Sequence, residues 1–570
     1  MKQQLEAAIT AIVFELFDQK VSIDLTRTDP KFGDYATNVA LQLAKRLSKT
    51  PGDIAIDVVA KIADSLNELI AEVKIAGPGF INLTLTDESL VAGLRVSAEQ
   101  SLAHKRVVMD YSDPNPFKPL HAGHLYTTLV GDAIARLLEA SGAEVIRLNY
   151  GGDVGRHVAI TMWAIVKELG GEYPEKLASV AEVSRPHWLG LRYVEGTAAF
   201  EENETDKAEI IAMNTRVYQI HEDNDHDSPL AQIYWTCRTW SYDYFNKLYP
   251  ELRVAPFDRF IPESEIVPLG LLTVREQLAK GVYVISEGAV VFKGEDFGLH
   301  TRVFINSKGL PTYETKDIGL VLTKWRDYHF DRSIVITANE QEQYMEVMLK
   351  SLEQFEPNIA ARSEHLTHGI VKLKGGIKMS SRKGNTAGAL EILEAAAAAN
   401  LAATGQDNND TVIGAVKYAF LKARIGGDII YDPEESVSLE GNSGPYLQYA
   451  LARACSILNK AGYDEARLKA VFSGAVISDT KLTGLEADER LLVRKLSEYG
   501  EVVTKAALEL LPHHVCSYLY ELAQTFNRFY ENNRVIGNDR QALRIELIEH
   551  YARTLKSGLT LLGIPTPERM

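Results

Sequence analysis

Apolar residues Leu5, Ile9, Ile12 and Leu16 recur along the opening MKQQLEAAITAIVFELFD at the three-to-four spacing of one helical face. Glu6, Glu15 and Asp18 interrupt the stretch, so it reads as an amphipathic helix and not as a secretion signal. DYATNVALQLAKRL (34–47) predicts a second helix, with Asp34 or Thr37 as its cap. VKIAGPGFINLTL (73–85) is strand-like but broken by Gly77, Pro78 and Gly79, and a connecting helix is expected over 86–101. RVVMDY (106–111) reads as a buried strand and EVIRLNY (144–150) as a second strand, separated by a loop and a helix, the pattern of a βαβ unit, with the turn GGDVG (151–155) after the second.

Mixed-polarity helical sequence fills 158–250. GVYVISEGAVVFK (281–293) alternates around Glu287-Gly288 and predicts a hairpin, and RVFINSKGLPTYE (302–314) predicts another around Lys308-Gly309. SIVITA (333–338) has the composition of a buried parallel strand. From about 386 onward the pattern is helical almost throughout, including the alanine run 395–399. No repeat or low-complexity tract interrupts it.

Composition narrows the class. A chain of 570 residues exceeds what one core serves, so three or four domains are expected. The three cysteines, Cys237, Cys455 and Cys516, form no CxxC pair, which argues against a zinc ribbon or a disulfide framework and fits a reducing compartment. No apolar run is long enough to cross a membrane, and a cytoplasmic protein is expected. The 61 basic and 77 acidic residues give a net charge of −16, which speaks against non-specific polyanion binding but leaves room for a local basic stripe.

The candidate chemistry lies in two places. The first is PNPFKPLHAGHLYTTLVGD (114–132), which follows the first strand and runs into the helix. The loop after such a strand delivers a helix N-terminus, with its free N–H groups, to the sheet edge where phosphates bind. Gly123 permits close approach of a bulky ligand, His121 and His124 can donate hydrogen bonds to phosphate oxygens, and Pro116 and Pro119 stiffen the approach. The second is VKLKGGIKMSSRKGN (371–385), where small hydroxyl residues and cations in a glycine-rich stretch can close over a triphosphate. A capping pair of surface histidines and a solvated basic loop are the ordinary readings of each alone. Their order and separation favour a joint nucleotide site.

These two stretches, HAGH (121–124) and KMSSRKG (378–384), resemble the HIGH and KMSKS signatures of class I aminoacyl-tRNA synthetases. The finer resemblance is to the arginyl-tRNA synthetases. It rests on SDPNPFKPLHAGHLYTTLVGD (112–132), YETKDIG (313–319), FGDYATNVA (32–40), AGPGFIN (76–82), SGPYLQYALAR (443–453) and LGIPTPERM (562–570), and it covers essentially the whole chain. The resemblance implies a multidomain α/β protein. An N-terminal α/β module that binds the tRNA elbow would span 1–100. A class I Rossmann-like parallel-sheet catalytic domain would span 101–385, with an insertion near 158–250. A helical stem-contact region (386–437) and an α-helical anticodon-binding bundle (438–570) would follow.

The implied reaction ligates L-arginine to tRNA(Arg) with ATP through an arginyl-adenylate, releasing AMP and diphosphate. Mg²⁺ would arrive with ATP and not as a permanent protein-held metal. By resemblance, His121, Gly123, His124, Lys118, Asp153, Gly155, Lys378, Met379, Ser380, Ser381 and Arg382 serve ATP, and Asp110, Asn115, Tyr313, Asp317 and Gln341 receive arginine. Asp317 would pair with the guanidinium, with Tyr313 one helical turn before it on the same face. Phe80, Asn82, Tyr449, Arg453, Tyr530, Arg534 and Met570 would contact tRNA; Tyr446 reads rather as a buried helix start, and Tyr530 as the exposed ring. Three positions depart from the family pattern: Asp110 stands where glutamate is common, Tyr344 where histidine is commoner, and Ser381 where the class usually has lysine. A monomer is expected. The alternatives are a class I synthetase for another amino acid, an RNA-binding paralogue without activity, or a small nucleotidylyltransferase. The last would leave about 180 C-terminal residues without a role.

Overall fold

The opening stripe forms α1 (Lys2–Phe17), which buries Leu5, Ile9 and Ile12 together with Val13; Leu16 is left 37% exposed at the last turn. The computed structural model describes residues 1–94, 100–118, 120–374, 388–474 and 482–568. β1 (Thr26–Arg27), β2 (Tyr35–Thr37), α2 (Val39–Leu47), α3 (Pro51–Ser65), β3 (Ile70–Ala76), β4 (Phe80–Leu85) and α4 (Asp87–Gly93) complete the first module. Its strands form an antiparallel sheet in the order β1-β2-β4-β3. The Gly77-Pro78-Gly79 break is the turn between β3 and β4.

The second helix begins at Val39 and not at Asp34, because residues 35–37 pair with β4 instead. Asp34 is no helix cap. It is 2% exposed, accepts from Leu85 N (2.8 Å), and holds Arg490 (3.1 Å) and Arg494 (3.0 Å) of the C-terminal body. Arg27 adds a second tie to that body, to Glu501 at 2.7 Å. The two ends of the chain are thus joined by partly buried ion pairs.

The βαβ unit is β5 (Arg106–Asp110), α5 (Ala122–Ala140) and β6 (Glu144–Gly151). Four helices follow: α6 (Arg156–Leu169), α7 (Arg185–Glu202), α8 (Glu204–Glu222) and α9 (Pro229–Glu251). They pack around a core of their own that includes Val158, Ile165, Ile210 and Tyr234. The chain returns through β7 (Arg259–Pro262) and α10 (Glu263–Ala279) to the small sheet β8 (Val284–Ser286), β9 (Ala289–Phe292) and β10 (Arg302–Ile305). β8 and β9 are the expected hairpin at Glu287-Gly288. The second hairpin is truncated: after Gly309 only a bridge between Ile305 and Pro311 forms, and the chain enters α11 (Tyr313–Tyr328).

Next come β11 (Arg332–Ala338), α12 (Glu342–Glu353), α13 (Pro357–Ala360) and β12 (Ser363–His368). The main sheet is parallel throughout, ordered β12-β11-β5-β6-β7. The chain winds one way from β5 to β7 and the other way through β11 and β12. The carboxyl ends of β5 and β11 therefore flank a switch point, where a parallel sheet opens a ligand crevice.

β13 (Val371–Leu373) leaves this domain, and α14 (Ala389–Thr404) and α15 (Asn409–Leu421) follow. β14 (Ile429–Tyr431) pairs with β13, an exception to the helical pattern expected here. α16 (Pro433–Ser436), α17 (Gly444–Lys460), α18 (Glu465–Ser473), α19 (Ala487–Ser497), α20 (Tyr499–Glu509), α21 (His513–Asn532) and α22 (Gln541–Leu561) form the terminal bundle. α17 shows why: Leu447, Leu451, Cys455 and Leu458, on one face, are fully buried. No helix among the described residues is long and apolar enough to cross a membrane.

Candidate active site

The loop from β5 to α5 holds an unusual backbone. Ser112 (φ 77°), Asp113 (φ 46°) and Phe117 (φ 69°) all adopt left-handed conformations without being glycine. Each costs on the order of 1 kcal/mol or more and persists only where neighbours impose it. Here they do. Ser112 Oγ is bonded to Tyr249 Oη (2.9 Å) and accepts from Thr128 Oγ1 (2.7 Å). Asp113 Oδ1 accepts from Tyr150 N (2.7 Å), Asn115 Oδ1 from Gly152 N (2.8 Å), and Phe117 N donates to Ser241 Oγ (3.0 Å). The loop's shape is fixed from α9 and from the end of β6.

At the start of α5 the two histidines cap the helix reciprocally. His121 Nδ1 accepts from Gly123 N (3.1 Å) and His124 N (3.4 Å), while His124 Nδ1 accepts from His121 N (3.3 Å). Their rings stack at 3.7 Å between centroids. Gly123 is needed for this, because a Cβ there would lie 2.9 Å from the His121 ring. Sequence reasoning gave that glycine to the ligand alone; in the structure its empty side also receives His121. Burial, with Lys118 and His368 adding to it, lowers the His121 pKa to about 4. Burial, His121, Lys118 and His368 hold His124 well below its usual value. Both rings are neutral near pH 7. With Nδ1 engaged as an acceptor, the proton resides on Nε2, so each ring presents a neutral donor.

The facing wall is α11. Tyr313, Asp317, Leu320, Val321 and Lys324 recur on one face of that helix and line the same cavity as His121 and His124. Close contact with α10 seats the helix: a Cβ on Gly319 would meet Ile266 O at 2.5 Å. Asp317 is 7% exposed and accepts from Tyr344 Oη at 2.7 Å. Burial raises its pKa from 3.8 to about 7, against the opposing hydrogen bond from Tyr344. No lysine or arginine among the described residues pairs with it. Two other carboxylates of the cavity are neutralised internally: Lys324 Nζ donates to Asp110, and Lys316 Nζ donates to Glu263. Burial raises the pKa of both acids, with the lysines opposing.

The cavity measures about 340 Å³, in the range of small-molecule sites. It gathers Asp110, Asn115, Lys118, His121, Gly123, His124, Tyr313, Asp317 and Gln341 from the sequence-based set. Tyr313 stands at the mouth, 60% exposed. Asp153 and Gly155 do not line it. Asp153 is fully buried behind the wall, where its carboxylate accepts from Ser264 N (2.9 Å), Ser264 Oγ (2.7 Å) and Arg238 Nε (3.0 Å). Gly155 (φ 105°) starts α6. The Asp153 carboxylate is engaged in joining β6, α9 and α10. Asp153→Ala is expected to lower stability by about 2–3 kcal/mol through the stranded donors, while nucleotide affinity stays at the wild-type value. Urea denaturation and an ATP titration check this.

Lys378, Met379, Ser380, Ser381 and Arg382 lie outside the described residues, as does Met570. The chain is nevertheless back at the site by Gly388, which bridges to His121, and Ala389 N donates to Leu120 O (3.0 Å). Asp113, Tyr150, Glu263, Lys324 and His368 also line the cavity and were missed from sequence. Lys324 alone carried a signal, its place seven residues after Asp317 on one helical face.

The tRNA candidates are scattered over two bodies. Phe80 starts β4 at 41% exposure, and Asn82 is partly buried in the same strand. Tyr449 on α17 is 47% exposed. Tyr530 is only partly exposed, with the Arg453 guanidinium 4.8 Å from its ring centroid. Tyr446 is also partly buried and accepts from Asn527 Nδ2 (2.9 Å). The expected contrast between these two rings is absent; Tyr449 is the open one. Arg534 is exposed and donates to Ile536 O (3.0 Å).

Residues 87–432 match the family model for tRNA synthetases class I (R), catalytic domain. Residues 447–570 match the DALR anticodon binding domain, and residues 1–85 the arginyl tRNA synthetase N terminal domain. The chain is 31% identical over 610 residues to the arginine–tRNA ligase of Synechococcus elongatus, covering 100% of this chain and 99% of that one. With the arginine–tRNA ligase of Frankia casuarinae identity is 32% over 599 residues, covering 100% and 98%. Among solved structures, Thermus thermophilus arginyl-tRNA synthetase is similar at a TM-score of 0.80 and 26% identity, with both chains covered completely.

Proposed function

The chain belongs to the arginyl-tRNA synthetases, enzymes of class I that charge tRNA with arginine, and from that premise we propose how its cavity carries out the two steps. The observation that carries the reading is that neutral phosphate donors and an unpaired buried carboxylate share one cavity. ATP lies with its phosphates across the Nε2 edges of His121 and His124 and the N-terminus of α5, with Gly123 beneath and Lys118 alongside. Mg²⁺ enters on the nucleotide. Arginine lies against α11, its guanidinium paired with Asp317 under the Tyr344 hydroxyl, Tyr313 closing the mouth and Gln341 on the wall. Asn115 and Asp110 hold the α-carboxylate and α-amino end.

A carboxylate oxygen of arginine attacks the α-phosphorus, and the bond to the β,γ-diphosphate breaks. The imidazole donors strengthen as negative charge grows on the phosphate oxygens. Lys378 with Met379, Ser380, Ser381 and Arg382 covers the departing diphosphate. With Ser381 in place of the usual lysine, Arg382, Lys383 or Lys118 supplies the charge. The return of the chain beside His121 at Gly388 supports that assignment. The terminal 2′-hydroxyl of tRNA then attacks the adenylate carbonyl, and AMP leaves. Positioning and charge stabilisation account for the rate, without a covalent enzyme intermediate.

The tRNA(Arg) elbow meets Phe80 and Asn82, and the anticodon meets Tyr449, Arg453, Tyr530, Arg534 and Met570. The division at 100, 385 and 437 into module, catalytic domain, stem region and anticodon bundle belongs to this proposal, as do a monomeric enzyme and a cytoplasmic location.

ATP–diphosphate exchange tests the reading. Among the standard amino acids, only L-arginine should support exchange, assayed with and without tRNA(Arg). Exchange driven by another amino acid under either condition contradicts it.

The acid limb of arginine binding follows from Asp317. Its pKa is raised to about 7 in the empty site, and pairing with a guanidinium requires the carboxylate. Binding therefore expels a proton, and affinity rises with pH until the group is ionised. Below pH 7 the affinity should fall about tenfold per unit. Calorimetry in buffers of different ionisation enthalpy measures both the dissociation constant and the proton released.

A further inference from the structure

Two imidazoles of the cavity serve the phosphates, and a third has no role so far. His368 ends β12, is 1% exposed and lines the same cavity as His121 and His124. Its backbone is pinned from outside the parallel sheet. A Cβ on Gly369 would overlap the Gly427 carbonyl, and Ile370 N donates to Asp428 Oδ1 (3.0 Å). The His368 ring lies against Tyr126, 4.6 Å between centroids, and Phe420 of α15 backs Tyr126 edge-on at 5.6 Å. Nδ1 is 2.7 Å from Gly369 O. A carbonyl only accepts, so Nδ1 carries the proton, and Nε2 of a neutral ring is left as an acceptor. Burial holds the ring below the usual imidazole value, so it is neutral at pH 7. Nε2 faces Thr127 Oγ1 of α5 at 2.7 Å and takes its hydrogen bond. Thr127 Oγ1 also lies 2.9 Å from Gly123 O, one turn back on the same helix.

We infer that His368 is a positioning residue for adenylate formation: through the Thr127 hydroxyl it fixes the first turn of α5, with Gly123 and both signature imidazoles, against the end of β12. This rests on the assignment of His121 and His124 to the phosphates. The first turn of α5 needs such a tie. Gly123 has no side chain to pack, and the two rings stack on each other, so little of the turn is seated in a core. Thr128, the next residue, ties the helix to Ser112 of the preceding loop (2.7 Å). Thr127 supplies the corresponding tie to the strand. Because Nδ1 is committed to Gly369 O and the ring plane is set by Tyr126, Nε2 has one direction in which to accept. The hydroxyl, and the helix that carries it, must meet it there. A donor at the phosphate acts only when held in place before the reaction, and that is what this bond provides.

The test is ATP–diphosphate exchange with tRNA(Arg) present, read as kcat/KM for ATP beside KM for arginine. Thr127→Val replaces the hydroxyl by a methyl of the same shape. It is expected to lower kcat/KM for ATP roughly 5- to 10-fold, the loss of one neutral hydrogen bond, and to leave KM for arginine at the wild-type value. Thr127→Ser, which keeps the hydroxyl, should recover most of the rate. His368→Phe keeps a ring against Tyr126 and should show a comparable loss. The double variant should be no slower than Thr127→Val alone, since both changes remove the same bond. Urea denaturation of each variant accompanies the kinetics: a bond that serves folding alone lowers the midpoint and leaves kcat/KM for ATP unchanged. Wild-type kcat/KM for ATP in both single variants, or losses that multiply in the double variant, overturns the inference. Unimpaired exchange in His124→Asn overturns instead the phosphate-site reading beneath it.

Discussion

Asp317→Asn should abolish arginine activation for practical purposes, lowering kcat/KM for arginine in ATP–diphosphate exchange by roughly 10³–10⁴-fold. That is the cost of removing one member of a desolvated charge pair, about 4–5 kcal/mol. The substitution is nearly isosteric and leaves an amide oxygen to accept from Tyr344 Oη, so packing of α11 is retained. What is lost is the anion. The variant should also lose the rise in arginine affinity through pH 7, since that limb belongs to the substituted group. ATP affinity should hold. Undiminished arginine-dependent exchange in Asp317→Asn excludes the assignment.

The second large effect concerns the opposite wall. Removing the Nε2–H of His124 takes away a neutral donor at the phosphate, and His124→Asn should slow adenylate formation by about 10²–10³-fold. Asparagine retains a capping acceptor near His121 N, which separates loss of the donor from loss of the helix cap. Arginine affinity, measured separately, should stay close to wild type. His121→Asn should behave in the same way. Both rings are held below the usual imidazole range by burial and are neutral already at pH 7. A collapse of arginine affinity in either variant would place the ring at the amino acid and not at the phosphate.

Much of this organisation was readable in the amino-acid order, and the parts that were not have physical reasons. The strand-like stretches at 106–111, 144–150 and 333–338 became the three central strands, because a parallel strand covered on both faces needs no strict polar alternation. β12 was missed: as the edge strand, it is only half-buried and spells SEHLTH, a polar sequence with no period to detect. The start of the second helix was misplaced because Tyr35 to Thr37 are recruited to a sheet in which one of their two partner strands, β4 (Phe80–Leu85), is distant in sequence. The same long-range logic governs the site. HAGH and the Tyr313–Asp317 pair are local patterns, and the cavity contains them. Asp153 was assigned to the nucleotide by resemblance, and its partners Arg238 and Ser264 lie about a hundred residues on, so that only folding brings them to it. The matching of Asp110 with Lys324 and Glu263 with Lys316 was invisible for the same reason. Without those pairs, Asp317 has no distinction from the other acids of the cavity.

The measurement that tests the account most directly is a crystal structure with 5′-O-[N-(L-arginyl)sulfamoyl]adenosine, a stable mimic of the adenylate. The account predicts the guanidinium against the Asp317 carboxylate and the Tyr344 hydroxyl, with the sulfamoyl oxygens within hydrogen-bond reach of Nε2 of His121 or His124. A guanidinium seated away from Asp317, or a sulfamoyl group remote from both imidazoles, would contradict it.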